Sequence, residues 1–287
     1  MEPSGYLPFA VIALLASFFA LERFFPLRHY KADLLIRVFI NLIISGLAYL
    51  TAMIVVRPAA LRTLNWTADS LSGLLHLAPV PDWAQFLLGF LLLDLSFYYW
   101  HVLNHKVPLL WRFHNVHHID PDLDVTTGLR FHFGEVLFSA LFRIAQVGLI
   151  GVSFVTFAVY EAIFQANTLF HHSNVRLPIR LERLLNKVLV TPRMHGIHHS
   201  QVQIEMNSNF GVVFPWWDKL HRSIRLNIPQ RTIEIGVAGY SGFPHKGVWD
   251  ALALPFRNQL DYWRRPDGTI PERDAAILQN VRTHLAE

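Results

Sequence analysis

Residues 83–118 read WAQFLLGFLLLDLSFYYWHVLNHKVPLLWRFHNVHH. The first half is an apolar run whose single charge is Asp94. The second half carries five histidines in two clusters, H-x-x-x-H at His101 and His105, and H-x-x-H-H at His114, His117 and His118. The run predicts a membrane helix, about 83–100, that delivers His101 to one membrane edge, since a crossing needs about 20 residues. A second H-x-x-H-H, HGIHH, supplies His195, His198 and His199. On a helix, positions i, i+3 and i+4 share a face, so each cluster presents a row of imidazoles. At this histidine frequency one H-x-x-H-H arises by chance about 0.05 times in a chain this long. Two together therefore mark a site, and neutral imidazole suits iron, zinc and copper. Eight imidazoles exceed the three or four protein ligands of one zinc ion and point to two metals in one basket.

Composition agrees with a membrane setting. The 287 residues are 52% hydrophobic and 16% charged, against about 25% charged in soluble domains. There is no cysteine, which excludes disulfides, thiolate ligands and cysteine nucleophiles. The metal site must use nitrogen and oxygen donors. The pI near 9.5 does not indicate nucleic acid, because the basic residues flank apolar segments instead of forming a stripe.

Further spans fall at about 6–25 and 34–56. The first lacks the basic start and small-residue cleavage site of a removed signal peptide. The link between them carries Arg28, His29 and Lys31, so the positive-inside rule places it in the cytoplasm. Residues 57–82 are then expected as an outer loop, closed by Pro79 and Pro81. The apolar stretch 135–170 is too long for one crossing. With Gly148 and Gly151 near its middle it reads as a helical hairpin, which keeps the clusters before and after it on one side. Beyond about 174 hydropathy falls, and the rest reads as a cap of helices and turns. The expected architecture is all-α: an integral membrane helical bundle with a cytoplasmic, histidine-rich helical cap. Its parts are 1–82 (membrane helices and loop), 83–225 (catalytic region) and 226–287 (C-terminal region). The aromatics Phe97, Tyr98, Tyr99, Trp100, Trp111, Trp216 and Trp217 are expected at the membrane interface.

The motif order resembles the fatty acid hydroxylase/sterol desaturase superfamily of membrane di-iron oxygenases. The resemblance runs from about 94 to 220 and rests on DLSFYYWHVLNH, LLWRFHNVHHID, TGLRFHFGE, FHHSNVRLP, LVTPRMHGIHHS and NSNFGVVFPWWDKL. It implies two irons with dioxygen as co-substrate, and hydroxylation of a fatty acyl, sterol or ether lipid C–H. It also implies electrons from a separate donor, a small cytochrome or ferredoxin with an NAD(P)H reductase. The membrane would be a bacterial inner membrane or the endoplasmic reticulum. The same resemblance adds His132, in RFHFGE, and His172, before Ser173 and Asn174, to the metal ligands. His171 does not align. Val102 stands where the family commonly has arginine, and Lys219 to Ser223 replaces a usual Leu-Phe-Gly-Thr.

Three further residues are read as supports. Asp94, seven residues before His101, shares its helix face, and an intramembrane carboxylate is usually functional. It is expected to accept from a ligand imidazole N–H and fix its tautomer. Glu135 is expected to do the same, or to pair with Arg130. Asn209 is placed near the site as a hydrogen-bonding or turn residue, and Asp218 is structural. His29, His76, His221, His245 and His284 are isolated and carry no expected role. Desaturation on the same scaffold is the alternative chemistry. A zinc-dependent membrane hydrolase and a metal transporter are weaker readings.

Overall fold

A computed structural model describes residues 7–77, 79–242 and 247–274. His245 and His284, and the parts of the first span and C-terminal region beyond these limits, lie outside the described residues. The described chain is helical, with two isolated β-bridges and no strand. Its long helices are α1 (Leu7–Phe24), α2 (Leu34–Thr51), α3 (Arg57–Ser70), α4 (Asp82–Lys106), α6 (Phe133–Ile150) and α7 (Phe154–His172). Shorter helices α5 (Pro108–His118), α8 (Ile179–Leu185), α9 (Pro192–His198), α10 (Gln203–Met206), α11 (Trp216–Leu220) and α12 (Val248–Ala253) build the cap. Three stretches, Leu34–His76, Asp82–Lys106 and Phe133–Ile150, are long and apolar enough to cross a membrane.

Residues 57–70 are not a loop. α2 runs through a π-helical turn, Ala52–Val56, straight into α3. Pro58 has no N–H and its ring crowds the carbonyl four residues back. The wider π turn just before it absorbs that defect. Ala60, Leu64 and Thr67 are buried on one face of α3, at helical spacing. α3 packs along α6.

The stretch 135–170 is two helices. Gly151 ends α6 in the left-handed conformation, φ 72°, where a side chain would be strained. The Ser153 hydroxyl then caps α7 by accepting from the Thr156 N–H at 3.2 Å. Both helices pack on α4. Phe97 of α4 sits against Phe142 of α6 and Phe164 of α7, ring centroids 5.1 and 4.5 Å apart. α6 begins, and α7 ends, among the histidines. The ends of α1 and α2 reach the same region. Arg28 exchanges hydrogen bonds with Asn174, and Arg37 pairs with Asp120 and Asp124. The basic α1–α2 link therefore lies on the same side as the histidines.

Not all the expected interface aromatics are at a surface. Tyr99 and Trp216 are exposed, but Phe97, Tyr98 and Trp111 are buried. Trp111 packs on His105 and His118. Ring hydrophobicity alone does not distinguish a bilayer from a protein interior.

Candidate metal centre

α4 delivers His101 and His105 from its last turns, and α7 delivers His172 from its C-terminus. α5 and α9 both open with a proline in the first turn, Pro108 and Pro192, where the missing N–H is harmless. They carry the two H-x-x-H-H motifs into the space between.

Nine of the ten expected ligands converge, in two nests. His101, His105, His114, His118 and His198 form the first, and His117, His172, His195 and His199 the second. Within each nest one nitrogen per residue lies within 4.8 Å of all the others. Each motif does not point one way, as a shared face suggested, but divides between the nests. At 3.6 residues per turn, positions i and i+4 are about 40° apart, while i+3 is about 100° from i+4. The i, i+4 pair His114/His118 thus serves the first nest and His117 the second. In the second motif the pair His195/His199 serves the second nest and His198 the first.

Ring orientations are set by backbone carbonyls and one carboxylate. Nδ1 of His101 donates to the Phe210 carbonyl at 2.8 Å, Nδ1 of His198 to Ser208 at 2.7 Å and Nδ1 of His172 to Thr168 at 2.8 Å. Nδ1 of His114 donates to Glu135 Oε1 at 2.8 Å. A proton held on Nδ1 leaves the Nε2 lone pair free, the arrangement seen around metal-bound imidazoles. Burial, then neighbouring imidazoles, hold His117, His118, His195 and His199 well below their usual pKa, and burial lowers His198 to about 3. Ligand imidazoles must be neutral, and these are.

The residues fit metal ions by a simple count. His172 Nε2, whose one lone pair is its only remaining hydrogen-bonding capacity, lies 3.1 Å from His117 Nε2 and 3.0 Å from His195 Nε2. His195 Nε2 lies 3.1 Å from His199 Nε2. Hydrogen bonds alone cannot satisfy that convergence. The buried atoms His105 Nε2, His114 Nε2, His118 Nε2 and His198 Nε2 have no partner at all. Nitrogens about 3 Å apart are what ligands about 2.1 Å from one ion show at near-right angles.

His132 does not join either nest. Its Nδ1 accepts from the Gly134 N–H at 3.0 Å, capping α6, and its Nε2 bonds the Leu252 carbonyl at 3.1 Å. Both ring nitrogens are occupied, so the ligand role expected for it gives way to a capping one. Asp94 reaches no imidazole. Two turns of helix put about 10 Å between it and His101 along the axis. Its buried carboxylate instead accepts from the Val213 and Phe214 N–H groups, Trp217 Nε1 and the Tyr160 hydroxyl, tying α4 to the loop before α11. Glu135 bonds His114, not Arg130. Asn209, at φ 56°, bonds the Met194 and Arg225 carbonyls and the Arg225 N–H; it braces the turn beside His195 without touching a ring. Asp218 accepts from the Phe210 and Gly211 N–H groups and so fixes the carbonyl that holds His101.

Sequence reasoning missed the carbonyls of Phe210, Ser208 and Thr168, because a backbone acceptor leaves no residue-type signal. It also missed the aromatic walls. Phe131 stacks on His117, 4.7 Å between centroids, and Phe210 packs on His101, His105 and His198. His171, set aside by the motif, is buried against His195 at 4.2 Å between ring centroids, outside both nests.

Comparison with known proteins follows this geometry. Residues 86–223, which contain all nine converging histidines, match the fatty acid hydroxylase family model. The chain is 32% identical over 172 residues to the ornithine lipid hydroxylase OlsE of Rhizobium tropici, covering 60% of this chain and 50% of that protein. It is 30% identical over 145 residues to human cholesterol 25-hydroxylase, covering 49% and 52%. It is 31% identical over 137 residues to the alkylglycerol monooxygenase of Xenopus tropicalis, covering 46% and 29%. The chain thus spans about half the length of the first two relatives. No solved structure matches it. The nests and their supporting turns thus fall within the segment that is similar to the fatty acid hydroxylase family.

Proposed function

We propose that the chain is a membrane-bound di-iron oxygenase that hydroxylates a C–H bond of a lipid, using dioxygen and electrons from a separate donor protein. The observation that supports this reading is the pair of adjacent, largely buried, all-imidazole nests built on membrane-capable helices. Imidazole donors suit iron, and three relatives are named for hydroxylation or monooxygenation of lipids. Bound iron would supply the oxidising power to break an unactivated C–H bond, which no side chain possesses. His101, His105, His114, His118 and His198 would hold one ion; His117, His172, His195 and His199 the other. Glu135 and the three carbonyls keep these rings oriented. Trp111, Phe131 and Phe210 exclude water from the reacting space. Residues 1–82 anchor the protein, 83–225 hold the chemistry and 226–287 complete the cap. The basic α1–α2 link on the histidine side supports a site at the cytoplasmic face.

The test is metal content and product mass. Protein purified in mild detergent from iron-supplemented cells should carry two iron ions per chain. Candidate lipids given a reductase system and dioxygen should gain one oxygen. Loss of two hydrogens would assign desaturation instead. Full turnover after His117→Ala or His198→Ala would sink the proposal.

A further inference from the structure

A second site lies behind the metal centre, on the α1–α2 link. Arg28 is 7% exposed. Its Nη1 donates only to neutral acceptors, Gln230 Oε1 at 2.7 Å and the Pro192 carbonyl at 3.3 Å, while Nε and Nη2 have no partner. Among the described residues no carboxylate forms an ion pair with it. Burial lowers its pKa only to about 10, so it is charged at neutral pH. Glu182 and Glu22 act on it only from beyond ion-pair distance; a buried cation without a direct partner is expensive, and a guanidinium suits carboxylate or phosphate oxygens.

Arg28 lines a cavity of about 230 Å³, closed by residues 121–123 and 230–235 and rimmed by exposed Lys31 and Arg231. The two carboxylates in its wall already have partners. Asp122 accepts from the Lys31 and Ala32 N–H groups at 2.9 Å each, and Glu234 pairs with Arg265 at 2.6 Å. The cavity shares Lys31, Pro121, Glu234 and Ile235 with a groove of about 990 Å³. The groove has apolar walls, Ile36, Ile40, Ile119 and Val237, and follows the first turns of α2. Leu35, Ile36 and Phe39 there are widely exposed, as a helix facing acyl chains would be. A cationic pocket continuous with an apolar groove matches one kind of molecule, an amphiphile with an oxyanion head.

We propose that the Arg28 cavity binds the phosphate headgroup of a membrane lipid, whose glycerol and first methylenes lie in the groove against α2. The site does not depend on which reaction the metal centre performs. The phosphate sits in the cavity between Arg28, Lys31 and Arg231, where its charge offsets that of the buried guanidinium, and steadies the start of α9, whose Pro192 carbonyl Arg28 already holds.

The test uses the full chain in a neutral detergent, with short-chain phosphatidylglycerol, diacylglycerol and inorganic phosphate as separate probes, read by native mass spectrometry and thermal shift. One phosphatidylglycerol per chain should be retained and should raise the melting temperature, with affinity falling about tenfold in the Lys31→Gln/Arg231→Gln double variant. Arg28→Gln should abolish retention; if that variant does not fold, the exposed double variant decides. Diacylglycerol held as tightly as phosphatidylglycerol would overturn the headgroup site. Inorganic phosphate binding as tightly as the phospholipid would overturn the lipid as its source. Wild-type affinity for phosphatidylglycerol in the double variant would overturn the proposal as a whole.

Discussion

Glu135 gives the sharpest test of how the metal centre is held. Its Oε1 accepts from His114 Nδ1 at 2.8 Å, and both side chains are buried. A hydrogen bond to a charged group is worth about 1.5–3 kcal/mol. Outer partners of metal-bound imidazoles typically contribute about 10- to 100-fold in metal affinity, and 100-fold is about 2.7 kcal/mol at 1.36 kcal/mol per decade, so the two measures agree. Glu135→Leu should therefore weaken the ion of the five-histidine nest by roughly 10- to 100-fold. Glu135→Gln, whose carbonyl can still accept, should fall at or below the lower end. The metal-free fold should lose at most about 1–3 kcal/mol for one orphaned donor, His114 Nδ1–H, offset in part because Glu135 Oε2 is buried without a partner and that burden disappears with the carboxylate. The assay is metal per chain by mass spectrometry after graded chelator challenge, with a melt of the stripped protein as control. Glu135→Leu should drop toward one ion per chain at chelator levels where the wild type retains two. If it keeps both ions at every level, the carboxylate does not orient His114, and the argument from that contact fails.

The remaining expectations are simpler to state. Asp94→Ala should leave four donors of α7 and the 213–217 segment unsatisfied, at about 1–3 kcal/mol for each fully buried one. It should lower the melting temperature sharply without changing metal per folded chain; early loss of metal at unchanged stability would restore Asp94 to the site. Gly196→Ala would place a carbon against Arg28 Nη1 and 2.9 Å from Gln230 Oε1. That is an overpacking of about 1–3 kcal/mol, so an unchanged melt would contradict the packing between α9 and the α1–α2 link. Acid should destabilise the metal-free protein. His117, His118, His195, His198 and His199 have folded pKa values below their unfolded value near 6.5. The unfolded chain then binds more protons below that value, and stability falls as pH drops from about 6.5 toward 3, by up to about 1.4 kcal/mol per pH unit for each imidazole that stays neutral. A melting temperature flat between pH 7 and 5 would show that the rings are not held neutral.

Much of this was legible in the sequence, for definite reasons. Histidine spacing is a statement about helix faces, and apolar run length about membrane thickness, so the converging histidines and the helical architecture could be read locally. Gly151 could be read too, because a turn between two apolar helices needs a residue free to take positive φ. What the sequence hid was tertiary. The seven-residue spacing of Asp94 from His101 gave the correct face but not the two-turn axial distance. His132 carried the right residue type beside the right glutamate, yet its ring turned to cap α6. Residues 57–70 fell between two apolar runs and read as an outer loop, and only their packing on α6 shows the helix. Which imidazole serves which nest depends on how α5 and α9 face each other, and no spacing within one helix contains that.

The division of each H-x-x-H-H helix between both nests has a mechanical consequence. α5 and α9 are each a shared axle, so none of their five rings can settle on one ion without fixing the rotation that presents a ring to the other. Ordering one nest therefore removes conformational freedom from its neighbour before the second ion arrives, which is coupling without any contact between the ions. Titration of the stripped protein should fill both nests over a narrower range of free metal than two independent sites allow, and a preparation with half its metal should be a mixture of full and empty chains.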